Sequence, residues 1–217
     1  KKMTATDLFN DNIKWLTGKK IKLGYATAEA LRVNFVGELG WELHHPIEMQ
    51  NYIFDLLMQA GAEFEIKPFG IRAMDSMRLE KSYRLIPREM SIEYSAYESG
   101  LDRFVKLDKE NDFIGKSALK EWQDRGPSNG FVTLEVLGVV DADARGSEAI
   151  YKDGEVVGRA TSGGYGWRCE KSLALGLVRL ELANLGTELE IEILGERYRA
   201  IVIEESPFDS TNECLRS

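Results

Sequence analysis

Histidine and cysteine are almost missing from this chain, and their scarcity closes off several kinds of chemistry. His44 and His45 are the only histidines among 217 residues. Neighbours on a strand point to opposite faces, so this pair does not converge on one metal ion. A histidine-centred nucleophile system also lacks support, because there is no G-x-S-x-G and neither cysteine has a histidine nearby in sequence. Cys169 and Cys214 stand far apart, in no metal-ligand spacing, and read as small reduced thiols. Neither a P-loop nor a Rossmann fingerprint is present. "SGGYGWR", 162–168, is glycine-rich but leads into a strand rather than a helix, so it reads as a turn and not a phosphate cradle.

Long apolar runs are missing as well. None approaches the roughly 18 residues of a membrane span, and no signal-peptide pattern opens the chain. There is no N-x-S/T sequon, which fits an intracellular address, cytoplasmic or, in a eukaryote, the mitochondrial matrix. The net charge of −8 and a pI near 5.0 argue against a general nucleic-acid binder. They leave room for a local basic groove. The first residue is Lys1 and the first methionine, Met3, sits in a polar segment, so a piece of something longer is expected.

What remains is a chain long enough for one large domain or two small ones. Residues 3–17 read as a helical or irregular lead-in ending at Gly18. "KKIKLGYATAEALRVNFV" reads as two strands around a turn, with Leu31, Val33 and Phe35 on one face and Arg32 and Asn34 on the other. "GELG", 37–40, has hairpin chemistry. Pro46 suits a helix start, and Met49, Ile53, Leu56, Leu57 and Ala60 follow helical spacing up to Gly61. A second helix is expected over 69–81, with Ile71, Ala73, Met74 and Met77 inward and Arg78 and Lys81 in solvent. Phe104–Leu107 reads as a strand and 113–126 contains a short helix. The stretch 126–130 is the best boundary. Beyond it, short alternating strands with an Asp153-Gly154 hairpin suggest a small barrel or sandwich.

The informative carboxylate is Glu42, set between Trp41 and Leu43 just after the glycine turn. It is either an ordinary surface residue or a partner for a ring with two adjacent N–H donors. The 2-amino-4-oxo edge of a pterin is such a partner, since paired charge-assisted bonds are strong and fix orientation. Nearby aromatics, Phe35 or Tyr83, would enclose the rings. From the residues alone, Tyr83 reads equally as a core-edge tyrosine.

Five blocks taken together add to this reading. "LRVNFVGELGWELHHP", "GIRAMDSMRLEKSYR", "ESGLDRFVKLDKENDFIGKSAL", "GRATSGGYGWRCEKSLALGLV" and "ESPFDSTNECLR" resemble, in order, the aminomethyltransferase family. That family contains the glycine cleavage T-protein, and the likeness is greatest to the folate-binding C-terminal regions of dimethylglycine and sarcosine dehydrogenases. The resemblance implies an α+β fold: a partial ferredoxin-like folate-binding region over 1–125, then a C-terminal β-barrel domain over 126–217. It implies tetrahydrofolate as cofactor, a small N-methyl amine as substrate, and capture of the one-carbon unit as 5,10-methylenetetrahydrofolate. FAD would belong to a domain outside this chain.

The family's pterin-binding glutamate falls on Glu42. Its pocket tyrosine is Phe35 here, which keeps a stacking wall and loses a hydroxyl, and a second pocket tyrosine is Tyr83. The T-protein arginine of the "RD…RLE" block is replaced by Met74, which favours the amine-dehydrogenase branch. The family's catalytic aspartate lies upstream of the "GELGWE" block, so no catalytic residue is assigned within the chain. Two other readings stand beside this one: a folate-fold module used for docking or regulation, and a T-protein proper.

Overall fold

The structure is a computed structural model describing residues 2–217. The chain forms two compact units, Lys1–Met74 with Thr211–Ser217, and Asp75–Ser210.

In the first unit an irregular lead-in gives way at Gly18 to a hairpin of β1 (Gly18–Leu23) and β2 (Ala26–Leu31). A third, short strand β3 (Glu42–His44) pairs with β2, giving an antiparallel sheet in the order β1-β2-β3. Helix α1 (Gln50–Gly61) follows a short 3-10 turn after Pro46 and ends at the expected glycine. One face of the sheet buries Ile21, Leu23, Ala26, Ala28 and Ala30 together with Ile53 of α1. Three alanines on β2 keep that face low, which suits the close approach of a helix. Leu43 and Trp41 complete the cluster.

Two expectations for this unit are corrected. β2 stops at Leu31, so Val33 and Phe35 do not continue its face; residues 32–41 form a loop. Arg32, which alternation sets opposite Leu31, Val33 and Phe35, follows the strand rather than continuing it, and it is 2% exposed.

Helix α2 (Ile71–Leu79) is shorter than expected, and its inward face differs. Ile71 is exposed, whereas Arg78 and Leu79 are buried, along with Glu80 and Lys81 just beyond. Phe104 ends a 3-10 turn, not a strand. Helix α3 (Lys116–Arg125) ends at Gly126 as expected.

Six strands then close a barrel: β4 (Asn129–Val136), β5 (Ala149–Lys152), β6 (Glu155–Gly166), β7 (Lys171–Arg179), β8 (Glu188–Ile193) and β9 (Glu196–Ile203). Their order around it is β4-β7-β6-β5-β8-β9. Inward residues such as Leu134, Ile150, Ala174, Val178, Ile191 and Ala200 fill it. Asp153 and Gly154 make the β5–β6 turn, both with positive φ. The "SGGYG" stretch is not a turn: it is the end of β6, and the reversal lies at 167–170. Its glycines serve close packing, since a Cβ on Gly163 would meet the Ala144 carbonyl oxygen at 2.5 Å.

Space and backbone conformation can be separated experimentally in the barrel. A Cβ at Gly158 would lie 2.2 Å from the Leu177 carbonyl oxygen, so Gly158→Ala is expected to cost about 3 kcal/mol by overpacking. Gly154 has φ +85° and open space around it, so Gly154→Ala should cost only about 1 kcal/mol of backbone strain. Urea unfolding of both variants checks the order; the reverse order would contradict the barrel register.

Candidate functional site

The first unit presents Glu42 by strand register. Leu31 pairs with Glu42, Ala30 with Leu43, and Glu29 with His44. Because successive side chains alternate, Ala30 and Leu43 face the core while Glu42 and His44 face away from it. The Glu42 side chain is 53% exposed, and its Oε2 lies 3.1 Å from Nε2 of His44. His45 turns to the other side, with Nδ1 2.9 Å from the Pro46 carbonyl oxygen.

The loop that delivers Glu42 is held locally. Asn34 Oδ1 accepts from the backbone N–H of Val36 at 3.0 Å and of Gly37 at 2.8 Å. Gly37 has φ +77°, a conformation that costs a residue with a Cβ. A Cβ on Gly40 would come within 2.6 Å of the Asn34 Cβ, so the loop closes on itself only with glycine there. Phe35, partly buried, sits at its start. Tyr83 belongs to the second unit, so the sequence candidates fall in two units.

Tyr83 lies at the edge of a group of buried charges that sequence reasoning missed. Arg78, with no exposed surface, donates from Nε to Asp75 Oδ1 at 2.6 Å and from Nη1 to the Tyr83 carbonyl at 3.1 Å. The same Nη1 lies 3.5 Å from Glu89 Oε2, also fully buried. Glu89 Oε1 accepts from the hydroxyls of Thr161 and Ser162 at 2.6 and 2.5 Å, and Oε2 from the Leu85 N–H at 2.8 Å. Consecutive strand residues normally point to opposite faces. A β-bulge in β6, where the register jumps between Ala160 and Ser162, lets both hydroxyls reach one oxygen.

The neighbouring charges follow the same logic. Glu80 accepts from the backbone N–H groups of Arg168 and Cys169 at 2.5 and 3.2 Å and from the Arg168 guanidinium. Lys81 donates to the Phe208 and Asp209 carbonyls at 3.1 and 2.6 Å. Arg84 makes a two-pronged pair with Glu205, at 2.6 and 2.9 Å, and stacks 3.7 Å from the Phe131 ring centre. The chain that leaves α2 is buried, and its polar groups must be satisfied without water. Long charged side chains do this here, which inverts the rule that helix charges seek solvent. The signal was present in "RLEKSYR": a nine-residue helix runs straight into Glu80, Lys81 and Arg84 with no glycine or proline between.

These surroundings set the proton affinity of two groups. Burial, then the Asp209 carboxylate, pushes the Tyr83 hydroxyl above its ordinary pKa, against the opposing Arg103. Burial and then Glu80 likewise push the Cys169 thiol up, away from the thiolate a nucleophile needs. Among the described residues no group of three or more His, Cys, Asp or Glu is placed to hold a metal ion. An apolar cavity of about 500 Å³ in the first unit is lined by residues including Met3, Leu8, Ile21, Trp41 and Leu57; Glu42 does not line it.

Comparison with known proteins decides the family. The family described as "GCVT N-terminal domain" matches residues 1–109, and "Glycine cleavage T-protein C-terminal barrel domain" matches residues 130–209. The chain belongs to the glycine cleavage T-protein, or aminomethyltransferase, family. Within it the chain is 42% identical to the mitochondrial dimethylglycine dehydrogenase of Homo sapiens over 94% of its own length and 23% of that enzyme. It is 32% identical to the mitochondrial sarcosine dehydrogenase of Mus musculus, covering 97% of itself and 23% of that enzyme. An aminomethyltransferase of Bacillus cytotoxicus is 34% identical over 79% of the chain and 46% of that protein. The chain thus spans about a quarter of the dehydrogenases and about half of that aminomethyltransferase. The glycine cleavage system aminomethyltransferase T from Bartonella henselae shares the fold, with TM-score 0.82 over 93% of this chain and 55% of that one, at 22% identity. No helix among the described residues is long and apolar enough to cross a membrane.

The buried pair yields a stability prediction. Arg78→Met leaves Glu89 charged without its cation and is expected to cost about 3–5 kcal/mol. Arg78→Met with Glu89→Gln, which removes the charge and keeps an acceptor for the Thr161 and Ser162 hydroxyls, should be less destabilised than the single variant. Denaturant titration checks this, and a single-variant loss below about 1 kcal/mol would contradict the buried pairing.

Proposed function

We propose that this chain is the tetrahydrofolate-binding C-terminal portion of a flavin-linked dehydrogenase of N-methylglycine-type amines, dimethylglycine or sarcosine. The single observation that carries this is the 42% identity to a dimethylglycine dehydrogenase along nearly the whole chain. The hairpin geometry supports it. Glu42 stands on the face of β3 away from the core, with a carboxylate accessible to a ligand.

In this reading Glu42 accepts two parallel N–H bonds from the 2-amino-4-oxo edge of the pterin. The pair fixes the plane of the ring as well as its position, which one bond would not do. The residues present fit that edge: the carboxylate is half-exposed, and His44, whose Nε2 lies 3.1 Å from Oε2, is an exposed neighbour that the ring would share or displace. Phe35, on the same loop, offers an apolar wall. In the second unit Tyr83 is a further proposed folate contact, a phenol that like any tyrosine is protonated at neutral pH and so able to donate from its hydroxyl. Bound tetrahydrofolate supplies the amine nitrogens that take up the one-carbon unit as 5,10-methylenetetrahydrofolate. What the protein contributes is proximity, holding the acceptor where a methylene iminium is trapped before water reaches it. Oxidation of the amine by FAD, and the family's aspartate, are proposed to lie outside residues 1–217. The division into a folate-binding part over 1–125 and a barrel part over 126–217 is retained as part of this proposal. A mitochondrial location is likewise proposed from the dehydrogenase relatives.

A T-protein role is the second reading, supported by the 34% identity to an aminomethyltransferase. Both readings use the same folate-gripping carboxylate and differ in the donor of the one-carbon unit.

The test is Glu42→Ala, measured by calorimetric titration with tetrahydrofolate. Removing a charge-assisted pair is expected to cost about 1.5–3 kcal/mol, a weakening of roughly ten- to a hundredfold. In the full-length dehydrogenase the same change should spare amine oxidation while abolishing tight folate binding. Unchanged affinity would overturn the assignment of Glu42.

A further inference from the structure

The chain beyond the barrel does not end as a loose tail. Residues 211–217 belong to the first unit, and α4 (Glu213–Arg216) buries Leu215 at 2% exposure. Asn10 donates from Nδ2 to the Arg216 carbonyl at 3.1 Å, and the Arg216 guanidinium lies 5.2 Å from the Trp15 ring centre.

Arg32 ties this strap to the sheet. Its Nη1 donates to the Ile13 carbonyl at 3.0 Å and its Nη2 to the Ser217 carbonyl at 3.2 Å. Its own backbone N–H donates to Thr17, and its carbonyl accepts from Leu16. A guanidinium leaves water at a cost unless acceptors replace the water, and here main-chain carbonyls from two distant segments do so. Nε has no partner among the described residues, so those two bonds carry most of the compensation.

The position of Arg32 gives this knot a consequence. It follows Leu31, the residue paired with Glu42, so it stands at the mouth of the loop that ends in Glu42. The far side of that loop borders the same open depression as the strap: Glu38 and Leu39 line it, over about 470 Å³, with Glu213, Cys214 and Ser217. The loop is therefore fixed at its base by Arg32 and bordered at its crown by the strap.

We propose that Arg32 and the 211–217 strap position the Phe35–Glu42 loop, so that folate capture by Glu42 depends on residues that follow the barrel. This rests on the folate reading above, and Arg32 is a positioning residue with no contact to ligand claimed for it. A residue that merely stabilised the unit would change the loop together with β1, β2 and α1 of the same unit. A positioning residue changes the loop first.

The test uses Leu215→Ala, Arg32→Met and Arg32→Lys in the full chain, read by amide hydrogen exchange and by tetrahydrofolate titration. In Leu215→Ala and Arg32→Met, the Val36 and Gly37 amides should exchange about tenfold faster or more while the amides of β1, β2 and α1 in the same unit keep their rates. Folate affinity should fall by about tenfold, and Arg32→Lys, which keeps one donor to a carbonyl, should recover part of it. Should Arg32→Met not fold, Leu215→Ala carries the decision. Unchanged Val36 and Gly37 exchange in folded Leu215→Ala overturns the proposal. So does faster exchange with unaltered affinity in a chain that binds folate. If the unaltered chain binds no folate, the folate reading fails, and the exchange measurement still decides whether the strap holds the loop.

Discussion

The pairing of Leu31 with Glu42 is the constraint on which the candidate site depends. Strand side chains repeat every two residues, so a slip of one position would send Glu42 toward Ile53 and α1 and turn Leu43 outward. The slip is prevented because the opposite face is filled by Ala26, Ala28, Ala30 and Leu43, which fit under the helix only in this register. The carboxylate is thus oriented by apolar packing on the far side of the sheet. The glycines at 37 and 40, with Asn34 between them and β2, let the chain reverse in the space available.

The second unit solves a different problem. Residues 80–84 leave α2 inside protein, where each backbone group and each charge needs a partner. Arg78, Glu89, Thr161 and Ser162 form one network; Glu80 with Arg168, and Arg84 with Glu205, form others. Such networks contribute more to a unique arrangement than to net stability, because desolvation offsets much of the pairing energy. The β6 bulge is what makes Glu89 satisfiable. It turns two adjacent hydroxyls to one side, and so couples the barrel's register to the path of the segment before it.

Much of this was legible in the sequence. The α1 spacing ended by Gly61, the Asp153-Gly154 turn and the stop at Gly126 all appear where local physics puts them. Glu42 could be placed outward because alternation and a glycine turn are both local. Arg32, Arg78, Glu80 and Lys81 could not be read this way. Their burial is set by segments distant in sequence, such as Ser217 for Arg32 and Phe208 for Lys81, and polarity alone assigns them to solvent. The glycines of "SGGYG" misled for a related reason, since close approach of Ala144 and Glu80 requires them and no reversal does. Phe35 was given strand phase because nothing local marks the end of β2 at Leu31; the buried guanidinium of the next residue marks it.

The central claim is that the Glu42 carboxylate meets the edge of a reduced folate. Its most direct test is the side-chain carboxyl 13C resonance of Glu42, assigned by comparison with Glu42→Gln, followed as tetrahydrofolate is added to the labelled chain. The account predicts a saturable shift of that resonance, with the barrel carboxylates Glu188 and Glu196 unmoved. Saturable binding that shifts other resonances and leaves Glu42 in place would contradict it.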